Sequence, residues 1–370
     1  MGNIINNEAD EAFKNLMKLV LMTGKNPAIL DNIKLIIGQN KTIINQKNND
    51  GRTALFFASR CSGTHSNLAT VEMLINAGTD VNLQDNNKCT TLMNASGYSN
   101  TDSNLATVKM LIDAGADVNM QNEDQWTSLM YASRYSNTDS NLATVKMLID
   151  ADANVNLRNN DGDTALMIAS RYSNTSSNLA TVKMLIDAGT DVNLRNNDGE
   201  TALMLASRYS KTDSNLATVK MLIDAGADVN LLDNIGWTSL MYAYKYSSLE
   251  NVRLLIFAGS DILLLNNISN HIVKLGMEYQ LQKNEIHITK KLNFRYVLKF
   301  IPSHSNVIKM KPGSIGVKII KISFKIKKGY KPIDIYSKML NKNNFILDYL
   351  NITSFVMFEA AINSYLNNLM

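Results

Sequence analysis

The chain is poor in the residues that build stapled or metal-held folds. Among 370 residues there are two cysteines, Cys61 and Cys89, and four histidines, His65, His271, His287 and His304. Two thiols exclude a disulfide framework and any cysteine-rich zinc or iron–sulfur site. The histidines have no metal-ligand spacing, so no metal or other cofactor is expected. Prolines number four, and three of them (Pro302, Pro312 and Pro332) fall near the C-terminal end. No long apolar run is present, and MGNIINNEADEAFKN lacks the charged-then-apolar order of a secretory signal. Gly2 is followed at position 6 by Asn6, where a myristoylation motif needs Ser or Thr. These absences predict an unprocessed cytoplasmic protein without a transmembrane segment. A P-loop, a nucleophile elbow and a Cys–His pair are also lacking, so neither an enzyme nor a small-molecule substrate is expected.

What is present is an ordinary globular composition, 45% hydrophobic and 19% charged. A chain this long can bury a large core without covalent staples. Its order comes from repetition. Leu55, Leu92, Leu129, Leu166, Leu203 and Leu240 follow one another at steps of 37 residues, each in a Thr-x-Leu. A fixed period of this size means a solenoid or a propeller. Within one unit, SNLATVKMLIDAG sets Leu179, Val182, Leu185 and Ile186 on one helical stripe, and Gly189 stands where a left-handed residue ends a helix. TALMIASRY reads as a helix capped by Thr164. DVNLRNNDG reads as an extended arm turning on Asp-Gly, a hairpin signal. One such unit cannot bury its own apolar face, but stacked units can.

Thr-Ala-Leu, Leu-Ile-Asp-Ala-Gly-Ala-Asp-Val-Asn and the Asn-Asp-Gly finger resemble the ankyrin repeat over about residues 28–267. The RYSNTDSNLATVKML variant and the Asn-, Ile- and Lys-rich composition resemble ankyrin-repeat proteins of mimivirus-like giant viruses that infect amoebae. The resemblance implies an all-α solenoid of helix-turn-helix units with β-hairpin fingers, acting in protein–protein contact, with a host protein as partner. The expected division is capping helices over 1–47, six repeats over 48–267 and a basic α+β segment over 268–370.

Three departures from the family pattern stand out. The units run longer than the usual ankyrin repeat because RYSNTDSN lies between the two helices, and only the last unit drops this insertion. Met93, Met130, Met167, Met204 and Met241 occupy the family's His position, which removes the hydrogen bonds that His gives there. Three glycines of the pattern are replaced: Lys88 and Gln125 at finger tips, and Asp152 at a helix end. A non-glycine residue in a left-handed turn costs on the order of 1 kcal/mol. Gly97 sits mid-helix where other units carry Arg134, Arg171 and Arg208, at a similar penalty of about 1 kcal/mol. Residues 88–152 are therefore expected to be the softest part of the stack.

Finger tips and the inner face of the first helices are the positions through which the resemblance implies partner contact. They carry a series of cations, Arg60, Arg134, Arg171, Arg208 and Lys245, followed by Cys61, Tyr135, Tyr172, Tyr209 and Tyr246, with Tyr98 after Gly97. Tyr and Arg are enriched at interface hot spots. The alternative reading of these rings is packing against the long turns. The position before each Thr varies, as Arg52, Cys89, Trp126, Asp163, Glu200 and Trp237. So does the helix position before the Ala, as Phe57, Asn94, Tyr131, Ile168, Leu205 and Tyr242. Specificity is expected at these varied sites, with Trp126 and Trp237 as exposed anchors. The repeated Asp residues read as turn and cap positions.

Charge separates the two ends of the chain. Residues 271–370 hold 16 of the 37 Lys+Arg and 5 of the 33 Asp+Glu, so this stretch is strongly basic and the rest is acidic. Ile320 to Lys327 alternates apolar and polar residues like a half-buried strand, 329–351 resembles a degenerate ankyrin unit, and 353–369 reads as an amphipathic helix. Lys290, Lys291, Arg295, Lys321, Lys325 and Lys327 define a basic surface. Three readings of it stay open: a lysine-covered cap on the stack, a tether to anionic membrane or nucleic acid through 271–342, or a contact with the acidic part of another copy. Nucleic acid or membrane is expected, if at all, only through this segment.

Overall fold

In a computed structural model of the chain, residues 2–26 and 28–261 are described. They fall in two units. The first runs from Met1 to Asn251, and the second begins at Val252. The strand over 320–327, the degenerate unit over 329–351, the terminal helix over 353–369 and the basic surface from Lys290 to Lys327 all lie outside the described residues.

The first unit opens with α1 (Gly2–Val20), α2 (Ile29–Gln39) and a 3-10 turn (Lys41–Asn45). Six helix pairs follow, one per repeat: α3 (Ala54–Arg60) with α4 (Leu68–Asn76), α5 (Thr91–Gly97) with α6 (Leu105–Asp113), and α7 (Ser128–Tyr135) with α8 (Leu142–Asp150). Next come α9 (Ala165–Arg171) with α10 (Leu179–Asp187), α11 (Ala202–Tyr209) with α12 (Leu216–Asp224), and α13 (Ser239–Tyr246) with α14 (Leu249–Phe257). We number the repeats 1–6 in this order. The last helix crosses from the first unit into the second.

Local chemistry explains each boundary. Every first helix starts at a Thr (Thr53, Thr90, Thr127, Thr164, Thr201 and Thr238) whose hydroxyl accepts the N–H three residues on at 3.2–3.3 Å. Second helices 1–5 start at Asn67, Asn104, Asn141, Asn178 and Asn215, each accepting a Thr N–H at 2.9–3.0 Å. Most second helices end on a glycine with positive φ, such as Gly189 at 82°. The substituted methionines take over an acceptor role: the Thr90, Thr201 and Thr238 N–H groups point at the Met93, Met204 and Met241 sulfurs at 3.4–3.5 Å.

Packing follows the order of the chain. First helices touch first helices from α3 through α13, and second helices touch second helices from α4 through α12. At the other end α1 packs on α2 and α3, and α2 on α4. Leu92, Leu129, Leu166 and Leu203 on the first helices, and Val108, Leu111, Val145 and Leu148 on the second, are at most 1% exposed. Each such side chain contributes about 1.5–3 kcal/mol by leaving water.

The fingers are not β-hairpins. Among the described residues there is no strand, only one isolated bridge between Gln84 and Thr90. Each tip is closed by an Asn or Asp side chain instead. Asn48 Oδ1 accepts the Asp50 and Arg52 N–H groups at 3.0 and 2.9 Å, and Asn122, Asn159 and Asn196 accept the same way from Trp126, Asp163 and Glu200. The arms then enter a turn at Val81–Asn82 and its counterparts, too soon for a second rung.

Rows of hydrogen bonds sew the repeats together. In the fingers, the N–H of Asn86, Glu123, Asn160, Asn197 and Asn234 each bonds a carbonyl of the preceding finger at 2.9–3.0 Å. Asn45, Asn82, Asn119, Asn156 and Asn193 each accept an N–H of the next repeat at 2.7–3.1 Å. The long RYSNTDSN turns join in: the Asn100, Asn137 and Asn174 N–H groups bond Asp139, Ser176 and Asp213 carbonyls. Beneath them, buried pairs Ser62–Thr107, Ser99–Thr144, Ser136–Thr181 and Ser173–Thr218 meet at 2.6–2.7 Å. A buried hydroxyl needs a partner, and here each repeat supplies its neighbour's.

Candidate functional site

The cations and tyrosines at the ends of the first helices form one alternating column. Arg134 lies over Tyr135 at 5.5 Å and over Tyr172 of the next repeat at 3.2 Å. Arg171 sits over Tyr172 and Tyr209 at 5.1 and 4.6 Å, and Arg208 over Tyr209 and Tyr246 at 5.3 and 5.6 Å. Lys245 closes the column over Trp237 and Tyr246 at 4.8 and 5.0 Å. Arg60 starts it over Tyr98 at 5.6 Å. The rings thus bridge successive repeats through cation–π contacts rather than resting on the long turns alone. All members up to Tyr209 are partly buried, and only Lys245 and Tyr246 are exposed.

The two tryptophans do not project into solvent. Trp126 lies 5.1 Å from the Tyr131 ring, and Trp237 lies 5.1 Å from Tyr242 and 6.3 Å from Tyr246. Both are partly buried. A finger closed by an Asx turn folds its last residue back toward the first helix, five positions on, where an aromatic partner covers it. Arg52 makes the matching contact in repeat 1, 5.2 Å over Phe56, and its Nε reaches Asp85 at 3.4 Å. Tyr242 donates to Asp233 at 2.6 Å, and burial pushes its phenol well above the usual range.

Between the tryptophan repeats the same positions turn acidic. Asp161, Asp163, Asp198 and Glu200 line a cleft of ≈ 190 Å³ with Arg171, Asn196, Asn197 and Leu205. Asn196 donates to Asp163 at 2.9 Å, and Glu200 pairs with Arg208 at 3.1 Å. Burial raises the Asp163 carboxyl above its ordinary value, with the neighbouring Asp161 and Glu200 charges adding to the rise. The tip residues Asp161 and Asp198 count as turn positions in a sequence reading. The signal for the cleft is that two consecutive units carry acids where the others carry Arg, Cys or Trp.

Repeat 6 departs from the rest. Ile235 is 73% exposed where earlier tips carry Asp or, in repeat 2, Asn87, and Leu232, Tyr244, Tyr246 and Leu249 are also exposed. Sequence reasoning passed over Ile235 and Leu232, although each breaks an otherwise polar position. Cys61 and Cys89 are free thiols, raised above the ordinary value by burial. Among the described residues no cluster of His, Cys, Asp or Glu could hold a metal ion, and no helix is long and apolar enough to cross a membrane.

The comparisons with known proteins agree with this geometry. A family model described as ankyrin repeats (3 copies) matches residues 98–193 and 174–266, and the single ankyrin repeat matches 50–86. Together they cover more than half of the chain, which belongs to the ankyrin-repeat family. Among solved structures, the ankyrin repeat domain of Bcl-3, described as a unique member of the IkappaB protein family, aligns with a TM-score of 0.53. It shares 23% identity, over 65% of this chain and 96% of that one, and so speaks for the fold alone. No curated protein matches the chain. Ankyrin repeats are an interaction scaffold that generally binds protein partners.

Proposed function

We propose that this chain is a non-catalytic protein-binding ankyrin module whose recognition surface is the varied finger and first-helix positions of repeats 3–6. One observation carries the reading. The Asn and Ser/Thr side chains common to the units carry most of the bonds between repeats, and the varied positions of repeats 3–6 supply two Trp–Tyr pairs and an acidic cleft. Trp126 with Tyr131 and Trp237 with Tyr242 stand on either side of the Asp163–Glu200 cleft. The column residues Arg134, Tyr135, Arg171, Tyr172, Arg208, Tyr209, Lys245 and Tyr246 flank this surface, and Arg52 extends it in repeat 1. Fully or partly desolvated Trp, Tyr and Arg side chains are the usual carriers of binding energy. Resemblance to viral ankyrin proteins makes a host protein, met in the host cytoplasm, the partner class.

The test is affinity capture with the full chain against Trp126→Ala/Trp237→Ala. The wild type is expected to retain a specific partner that the double variant loses at least about tenfold, with its helical circular dichroism unchanged. Equal retention by both would sink the reading. The charge asymmetry favours a second function, tethering to anionic membrane or nucleic acid through 271–342. Binding to phosphate-bearing vesicles that collapses between low and high salt, and with Lys290, Lys291, Arg295, Lys321, Lys325 and Lys327 changed to Gln, would support it.

A further inference from the structure

We infer that the stack contains a seam between repeats 2 and 3, at which it opens into two blocks before it unfolds. Two different rows lose their rung at the same interface. In the cation–tyrosine column, Arg60, Arg134, Arg171 and Arg208 each reach the tyrosine of the next repeat. Gly97 stands at that position in repeat 2, so no cation lies between Tyr98 and Tyr135. In the fingers, the side-chain amides of Asn86, Asn160, Asn197 and Asn234 donate to a carbonyl of the preceding finger at 2.7–3.0 Å. Repeat 3 has Glu123 there, and a carboxylate has no hydrogen to donate.

Backbone conformation weakens the same place. The described residues hold three non-glycine positions with positive φ: Lys88 at 57°, Gln125 at 59° and Asp152 at 61°. Lys88 and Gln125 are the tips of the two fingers that meet at the seam. Gly97 is not mid-helix as the repeat pattern suggested but the last residue of α5, where its backbone freedom still favours opening of the helix end. What still joins repeats 2 and 3 is the packing of α5 on α7, the arm bond from Asp117 to Asn82 at 2.8 Å, the finger bonds from Glu123 to Asn87 at 3.0 Å and from Gln84 to Gln121 at 3.3 Å, and in the long turns the bond from Asn100 to Asp139 at 2.9 Å with the Ser99, Ser140, Asn141 and Thr144 side chains around it, so the two missing rungs are what set this interface apart from its neighbours. A stack whose neighbours interact in pairs parts at its weakest pair. The blocks are then α1 through repeat 2, and repeats 3 onward.

Native-state hydrogen exchange on the full chain tests this. In the wild type, amides of α3 to α6 are expected to exchange through an opening that leaves α9 to α12 protected. The variant Gly97→Arg/Glu123→Asn supplies both rungs. A Cβ added at Gly97 would meet Tyr131 at 3.6 Å, an ordinary contact, so the first side-chain atom enters without a clash. Exchange of α5 and α7 should slow about tenfold, and the two blocks should approach one protection class. Adding the converse pair, Arg171→Gly/Asn197→Glu, to that repaired variant should move the earliest opening to the interface of repeats 4 and 5. Uniform protection across the wild-type stack, or an opening that stays put in both variants, would overturn the seam.

Discussion

The inter-helix turns and the fingers of this protein meet the same neighbouring repeats, yet their residues differ in how faithfully they recur. Along the turns, Ser136 and its counterparts sit buried against the next repeat's Thr, and a substitution there would remove one of the two bonds of that Thr hydroxyl. Along the fingers, the backbone and the Asn side chains make most of the bonds, and the residue just before each Thr joins in only at some repeats, as Arg52 does with Asp85 and Asp163 with Asn196. That residue is Arg, Cys, Trp, Asp, Glu or Trp from one repeat to the next. The turn position makes the same buried bond from repeat to repeat and keeps its residue type, whereas the finger position bonds a neighbour in some repeats only and varies.

The sharpest way to break this comparison is to mutate the two kinds of position three residues apart. Leu129→Ala, at 1% exposure, should lose about 2–5 kcal/mol in urea unfolding, whereas Trp126→Ala should lose no more than about 1 kcal/mol. Comparable losses would mean that the varied residue is core after all. A smaller effect is expected from restoring the pattern. Asp152→Gly removes a left-handed aspartate, and its backbone carbonyl keeps the bond from Asn119 at 3.3 Å. It should raise stability by about 0.5–1 kcal/mol, read as a higher urea midpoint at unchanged slope.

The smallest effect concerns pH. The Asp163 carboxyl is raised in the folded state, so the native protein holds that proton more tightly than the unfolded chain. Stability from this group is greatest in acid and falls as pH rises from the ordinary Asp value of 3.8 through the raised folded one. Asp163→Asn keeps an acceptor for Asn196 and removes the titration. The variant should match the wild type near pH 4 and exceed it slightly at pH 7, measured as paired urea curves. A wild type that gained stability on Asp163 ionisation would reverse the sign and refute the burial account.

Much of the fold was legible before any coordinates. The 37-residue step, the Thr that opens each first helix and the glycines that close most second helices were legible, because caps and periodicity act within a few residues of one another, whereas the Asn caps of the second helices emerged only in the structure. The positive φ at Lys88, Gln125 and Asp152 follows from aligning them with glycines. Two readings failed for reasons that lie beyond local pattern. Asp-Gly suggested hairpins, but an Asn side chain closes the tip and the arms turn away. Trp126 and Trp237 suggested free anchors, but each ring finds a tyrosine five residues on. The acidic cleft was visible only as two odd letters, Asp163 and Glu200, until the fingers brought Asp161 and Asp198 beside them.

Residue order alone settled that this chain is a stack of two-helix units at a 37-residue step, since that rests on contacts between near neighbours and on a period that repeats. Tertiary packing decided what the repeats do to one another. That Arg134 reaches Tyr172, that the inserted turns bond each other and that Gly97 and Glu123 weaken one and the same interface all depend on side chains about one repeat apart meeting in space. No local preference encodes that meeting.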